Sequence, residues 1–262
     1  MAAAFIATPA VSADAVGEPA TVWRVAGADL YATAAALVAD AFSAPVKEAY
    51  VATGEDFADA LAATPAAGRA GAPLLLVRRD SVPPVVVSEL QHLRPDRIVL
   101  LGGEQVVSAA VADELRSLAA VAVVRRSGGD RFETAAAVTA AAFPGRRPRV
   151  FVASGETFAD ALAAGATAAR LDAPLLLTAA GALPEATRAE IRRLQPAELI
   201  VAGGSAAVGE VVVSELRQQA PNVTRVAGSD RYETSARMSR LVDAPSKVAM
   251  VVSGTSFADT LA

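Results

Sequence analysis

The chain has 262 residues, of which 53% are hydrophobic and only 5% aromatic, so its core must be built mainly from alanine, valine and leucine. Its formal net charge of -4 gives no overall basic field, which excludes non-specific binding to nucleic acid. The absence of cysteine excludes thiol nucleophiles and cysteine metal sites, and a single histidine argues against a zinc hydrolase. No apolar run is long enough for insertion into a membrane. We therefore expect neither a metal nor a cofactor.

Residues 1–20 resemble an export signal followed by a linker. The first 15 residues are mostly small and apolar, and they contain the sequence Val11-Ser12-Ala13, which is typical of a signal-peptide cleavage site. The positively charged segment that normally precedes such a region is missing, so the alternative is an alanine-rich tail. The pattern favours a secreted protein.

From residue 21 onward, short apolar runs alternate with alanine-rich stretches that carry helix-capping residues. Strands are predicted at residues 21–26, 48–52, 73–77, 97–101 and 121–124. Helices are predicted at about 29–42, from 57, and at about 83–93 and 107–118. This alternation predicts an α/β fold with open parallel sheets, right-handed crossovers and helices on both faces.

The same pattern returns roughly every 100 residues. The stretch Val51–Ala63 recurs as Val152–Ala164 and again, shortened, as Val252–Ala262. A repeated unit of this length is a small domain and not a solenoid repeat, whose period is about 20–50 residues. The predicted domains are module 1 at 21–124, module 2 at 125–224 and a truncated module 3 at 225–262.

Each copy opens with a second shared stretch: Arg24–Thr33, Arg125–Thr134 and Arg225–Thr234. With the Phe-Ala-Asp-x-Leu-Ala stretches, the Ala-Pro-Leu-Leu-Leu strands and the Gly-Gly turns, these strongly resemble the cell wall-binding repeat 2 family over residues 21–262. The resemblance implies a protein of the Gram-positive cell surface, with three modules around a pseudo-threefold axis that attach non-covalently to anionic wall polymers. In that family a separate domain supplies any enzymatic activity. This chain departs from the pattern in its short third module, in the lack of an accessory domain, and in Leu30, which stands where the other copies have arginine.

Five arginines of the opening stretches are the candidates for polymer contact: Arg24, Arg125, Arg131, Arg225 and Arg231. The first of each copy ends a predicted strand, where a guanidinium group can hold a phosphate or carboxylate through two hydrogen bonds. The alternative there is a solvated charge on an edge strand. Arg131 and Arg231 lie in the first turn of a helix, where acidic residues are normally favoured. For these two we expect either contact with an anionic ligand or an ion pair within or between modules.

The other recurring polar and glycine residues are predicted to serve the fold. The capping aspartates are Asp29, Asp130, Asp230, Asp59, Asp160 and Asp259. The turn glycines are Gly102, Gly103, Gly203 and Gly204, which follow strands without the spacing of a nucleotide-binding loop.

An acid–base pair is the alternative role for two of these aspartates. Asp59 and Asp160 lie near Glu55 and Glu156 in the sequence, but Thr255 replaces the glutamate in the third copy. The single histidine, His92, is predicted to face solvent from a helix. The favoured function is a secreted, non-catalytic module that binds an anionic wall polysaccharide or teichoic-type polymer. The alternatives are an accessory module of a cell-wall hydrolase, a hydrolase that acts on peptidoglycan through Asp160 and Glu156, and a self-assembling surface-layer protein that packs through its modules or into homo-oligomers.

Overall fold

A computed structural model describes residues 21–243, 246 and 248–256. The signal-like segment and Asp259 lie outside the described residues. The first copy forms α1 (Leu30–Ala41), β1 (Glu48–Thr53), α2 (Ala58–Ala70), β2 (Leu74–Val77), α3 (Pro84–Leu93), β3 (Arg97–Leu101), α4 (Ala109–Arg116) and β4 (Ala122–Arg126). The second forms α5 (Arg131–Ala142), β5 (Arg149–Ser154), α6 (Ala159–Arg170), β6 (Leu175–Thr178), α7 (Glu185–Leu194), β7 (Glu198–Ala202), α8 (Glu210–Leu216) and β8 (Asn222–Val226), and α9 (Arg231–Ser239) follows. Among the described helices, none is long and apolar enough to cross a membrane.

The strands form two four-stranded parallel sheets with the orders β2-β1-β3-β4 and β6-β5-β7-β8. This confirms the predicted α/β fold. The chain moves outward from β1 to β2 and then back across β1 to β3, so right-handed crossovers place α2 on one face and α3 on the other. The second copy repeats the arrangement with α6 and α7.

The predicted strand at 21–26 is wrong, since this segment forms no ladder. Its counterparts in the later copies are the last strands of the preceding sheets: β4 pairs with β3, and β8 pairs with β7. The described residues contain no earlier sheet with which 21–26 could pair. Each later sequence repeat therefore begins with a strand that completes the sheet of the preceding copy.

The two copies pack against each other through alanine-rich helices. Helix α2 contacts both α5 and α6, and α6 contacts α9 in the same way that α2 contacts α5. The helices approach closely because small residues meet: a Cβ added to Gly68 would lie 2.8 Å from that of Ala169. One cluster of buried residues consequently runs through both copies.

The third copy supplies a helix but no strand within the described residues. Val251 and Val252 are 54% and 44% exposed, whereas the equivalent Val152 and Ala153 are fully buried in β5. Strand β5 is flanked by β6 and β7, and the described part of the third copy has no strand to flank 248–256.

Gly102→Ala is expected to destabilise the protein by about 1–3 kcal/mol. Gly102 has a φ of +88°, and a Cβ there would lie 2.6 Å from an Asp59 carboxylate oxygen. The control is Gly103→Ala, because a Cβ at Gly103 meets nothing within 4 Å. Urea unfolding of both variants measures the difference, and equal losses of stability would contradict the assignment.

Candidate functional site

The two shared stretches of each copy meet at the carboxyl ends of the strands, which is where open parallel sheets bind ligands. The glycine after the central strand lies beneath the start of the preceding helix. A Cβ at Gly155 would lie 2.8 Å from a ring carbon of Phe132 and 3.3 Å from Cδ of Arg131. In the same way, a Cβ at Gly54 would lie 2.8 Å from a ring carbon of Tyr31, and a Cβ at Gly254 would lie 2.6 Å from a ring carbon of Tyr232. The two stretches recur together because each needs the other to pack.

Aspartates cap the helices that carry these residues. The Asp130 carboxylate accepts hydrogen bonds from the backbone N–H groups of Phe132 and Glu133, at 2.9 and 2.8 Å. Glu133 in turn accepts one from the Gly129 N–H at 2.7 Å, a bond like that of a capping box but made to the residue before the N-cap. Asp29 caps α1 and Asp230 caps α9. These helix starts therefore offer fewer free N–H groups to a ligand than an uncapped helix would.

Arg131 reaches from the second copy into the first. Its guanidinium donates to the Gly155 carbonyl at 2.6 Å and lies 3.2 Å from the Asp56 carboxylate. It also lies over the Phe57 ring, 5.9 Å from the centroid. The ion pair predicted as one of two roles for this residue is thus present between copies. The side chain is still 35% exposed, so solvent and ligands can reach it.

Arg231 repeats this geometry with one difference of charge. It donates to the Gly254 carbonyl at 2.6 Å and lies 5.8 Å from the Phe158 ring centroid. The residue equivalent to Asp56 is Thr157, which carries no charge. Arg231 is exposed and makes no ion pair with any residue that the structure describes.

An aromatic pair lies between the two arginines. Phe57 and Phe158 meet edge to face with their ring centroids 6.0 Å apart. Neither phenylalanine was singled out from the sequence. The sequence signal that could have identified them is their recurrence, since each precedes the Ala-Asp of a shared stretch. Phe257 holds the same place in the third copy, outside the described residues. Arg131, Phe57, Phe158 and Arg231 form what we call the junction site.

The strand-end arginines are held within their own sheets. Arg125 donates to the Gly102 carbonyl at 2.7 Å, and Arg225 donates to the Gly203 carbonyl at 2.7 Å. Arg225 also pairs with Glu210 at 2.9 Å. Both side chains fix the Gly-Gly turn that follows the neighbouring strand. Arg24 is exposed in the segment before α1 and is not part of the junction site.

The predicted capping role of Asp59 and Asp160 is wrong. The N-cap residues of α2 and α6 are Phe57 and Phe158, and the Ala58 N–H donates instead to Asp56, at 3.2 Å. Asp59 lies at the second helical position with its carboxylate turned against Gly102, and it is only 7% exposed. Asp160 faces Gly203 in the same way. The spacing could not show this because the glycine comes from a different strand.

Burial controls the titration of these two carboxylates. It raises the pKa of Asp59 to about 6, with the negative charge of Asp56 adding to the rise and Arg131 opposing it. Burial also raises the pKa of Asp160, and a hydrogen bond from Thr234 and the positive charge of Arg231 oppose this rise. The pKa of the exposed Glu233 is instead lowered to about 2, chiefly by hydrogen bonds from Ser229.

The glutamates of the acid–base alternative tie two loops together. The Arg79 N–H donates to Glu55 at 3.1 Å, and the Ala180 N–H donates to Glu156 at 3.1 Å. The first bond joins the loop after β1 to the loop after β2, and the second joins the loop after β5 to the loop after β6. His92 is exposed on α3, as predicted.

The model of the family described as cell wall binding domain 2 (CWB2) matches residues 24–112 and 125–213. Two curated relatives come from Bacillus subtilis (strain 168). N-acetylmuramoyl-L-alanine amidase LytC is 29% identical over 92% of this chain and 47% of its own length. An amidase enhancer is 29% identical over 91% of this chain and 32% of its own length. The chain thus spans less than half the length of either relative.

Two solved structures from Clostridium difficile have the same fold. Cwp8 has a TM-score of 0.74 and 28% identity, over 82% of this chain and 36% of that one. Cwp6 has a TM-score of 0.74 and 27% identity, over 90% of this chain and 39% of that one.

Asp59→Asn is expected to flatten the dependence of stability on pH. The pKa of Asp59 is raised in the folded state, so its contribution to stability is full below about pH 4 and is lost as the pH rises through about 6. Between pH 4 and 7 the wild type should lose up to about 3 kcal/mol relative to the variant. Urea unfolding at the two pH values measures this, with the exposed Asp40→Asn as control. Parallel profiles for wild type and Asp59→Asn would contradict the assignment.

Proposed function

Since this chain belongs to the cell wall binding domain 2 family, we propose that it is a secreted, non-catalytic module that attaches to an anionic polymer of a Gram-positive wall. The sugar or teichoic-type polymer would carry regularly spaced carboxylates or phosphates. A protein with a net charge of -4 can bind such a polymer only where its cations are locally concentrated.

The observation that carries the proposal is the pair of arginines around Phe57 and Phe158. Successive copies place the same cation at successive positions, so one polymer chain can meet both arginines. Two linked contacts bind more tightly than either would alone. The two rings offer apolar surface between the charges for the less polar faces of sugars.

The two arginines contribute unequally. Arg231 has no carboxylate partner among the described residues, so an anion can approach it without displacing an existing ion pair. Arg131 already lies 3.2 Å from Asp56, and a ligand there must compete with that carboxylate. Leu30 at the equivalent place in the first copy carries no charge. Arg125 and Arg225 support the site by holding the Gly-Gly turns.

We assign no catalytic role to this chain. Glu156 is engaged by a backbone N–H, and the carboxylate of Asp160 is turned against Gly203. The amidase relative is matched over 47% of its length, and we attribute its named activity to the remainder of that protein.

Arg231→Gln is expected to weaken binding to isolated Gram-positive walls about tenfold, because it removes a charge-assisted contact of about 1.5–3 kcal/mol. Asp56→Asn should strengthen binding, since it frees Arg131. The measurement is the fraction of protein that sediments with walls as its concentration is varied. Arg217→Gln, which removes an exposed arginine at the end of α8, is the control.

Binding should also fall steeply as the salt concentration rises from about 0.01 to 1 M. Failure to sediment at low salt would contradict the proposal, as would equal losses in Arg231→Gln and Arg217→Gln. Two further results would favour the alternatives. A pellet without walls would indicate self-assembly, and release of dye from labelled walls that Asp160→Ala abolishes would indicate a hydrolase.

A further inference from the structure

A cleft of about 270 Å³ lies over the first sheet, away from the junction site. Its floor is the face of β1, β3 and β4 that carries Tyr50, and its walls are the later turns of α2 and α5. Because α5 belongs to the second copy, the cleft exists only where the two copies are packed. Valine and alanine side chains form its apolar surfaces.

Three arginines line this cleft, and two of them have partners. Arg97 pairs with Glu48 on the neighbouring strand, and Arg69 pairs with Asp172. The side chain of Arg126, at the end of β4, makes no ion pair or hydrogen bond with any residue that the structure describes. It is only partly exposed, so a cation is held at the cleft without a counter-charge of its own.

A tyrosine hydroxyl lies in the same cleft. Tyr50 is only 6% exposed, and its hydroxyl forms no hydrogen bond to another residue within the described ranges. The hydroxyl is therefore free to bond to water or to a ligand in the cleft. Burial, with the charge of Glu48 adding to it, raises the pKa of Tyr50 to about 12. The hydroxyl therefore keeps its proton at neutral pH and can donate a hydrogen bond.

The second copy shows that the fold does not need these two groups. Val226 stands at the position of Arg126, and Phe151 at that of Tyr50. The Glu48–Arg97 pair, in contrast, is kept with its signs exchanged, as Arg149–Glu198 at 2.8 Å. A pair that both sheets retain serves the sheet, whereas a cation and a hydroxyl present in one copy alone point to a ligand.

We propose that this cleft binds one anionic sugar unit, with its carboxylate or phosphate held by Arg126 and the Tyr50 hydroxyl and its ring against the apolar floor. A guanidinium group can give two parallel hydrogen bonds to either anion. The volume is just below the range of about 300–1,000 Å³ that is typical of small-molecule pockets, which limits the ligand to a small one. The inference does not depend on wall attachment, because free sugars test it.

The proposal is tested by isothermal titration calorimetry of the intact chain with glucuronic acid, glucose 1-phosphate and glucose. At least one of the two acids should bind saturably with one site per chain, and glucose should not. Arg126→Val should weaken binding at least tenfold, and Tyr50→Phe several-fold. Both variants introduce the residue of the second copy, so they are expected to fold, which thermal unfolding checks. Arg217→Val, which removes an exposed charge elsewhere, should leave binding unchanged.

Three results would overturn the proposal: no saturable binding of either acid, binding of glucose as tight as that of the acids, or unchanged binding in a folded Arg126→Val variant. Loss of sugar binding in Arg126→Val with unchanged sedimentation on walls would support a cleft that is separate from the junction site.

Discussion

The structure depends on the close approach between the glycine after each central strand and the start of the helix that precedes that strand. At Gly155, any side chain would enter the space of the Phe132 ring. Because this glycine lies at the carboxyl end of β5, the contact fixes the first turn of α5 at the edge of the sheet where loops converge. Arg131 on that turn can then hold the Gly155 carbonyl and cross to Asp56 of the first copy. One packing contact thus builds the fold of a copy and sets the position of its cation.

The copies share a backbone fold but differ at some side chains, and these differences distinguish structural positions from ligand-facing ones. Asp130 and Asp230 both cap a helix, and Arg125 and Arg225 both donate to the carbonyl of a turn glycine. The residue beside the junction arginine changes from Asp56 to Thr157, and the cation of the cleft changes from Arg126 to Val226. Positions that change while the backbone stays the same are free of folding constraints. The copies are therefore expected to bind ligands unequally, with Arg231 the most accessible cation of the junction site.

Local sequence patterns determine most of the fold but little of the site. Buried runs such as Leu74–Val77, bounded by turn residues, identify the strands, and Asp130 with Glu133 identifies a helix start without any knowledge of the tertiary structure. Residues 21–26 have a strand-like local sequence but form no strand, because a strand exists only where another strand pairs with it. The contact of Asp59 with Gly102, and the meeting of Phe57 with Phe158, likewise depend on how strands and copies pack. Recurrence marks these residues in the sequence, but it does not show which of them touch.

The most direct test of wall attachment through the junction site is a map of the residues that sense the polymer. Backbone amide chemical shifts of the labelled protein would be followed during titration with a soluble fragment of an anionic wall polymer. We predict that the largest changes occur at the first turns of α5 and α9 and in the loops around Gly54, Gly155 and Gly254, and that they disappear at high salt. Changes confined to α3 and α7, on the opposite faces of the sheets, or no changes at all, would contradict the account.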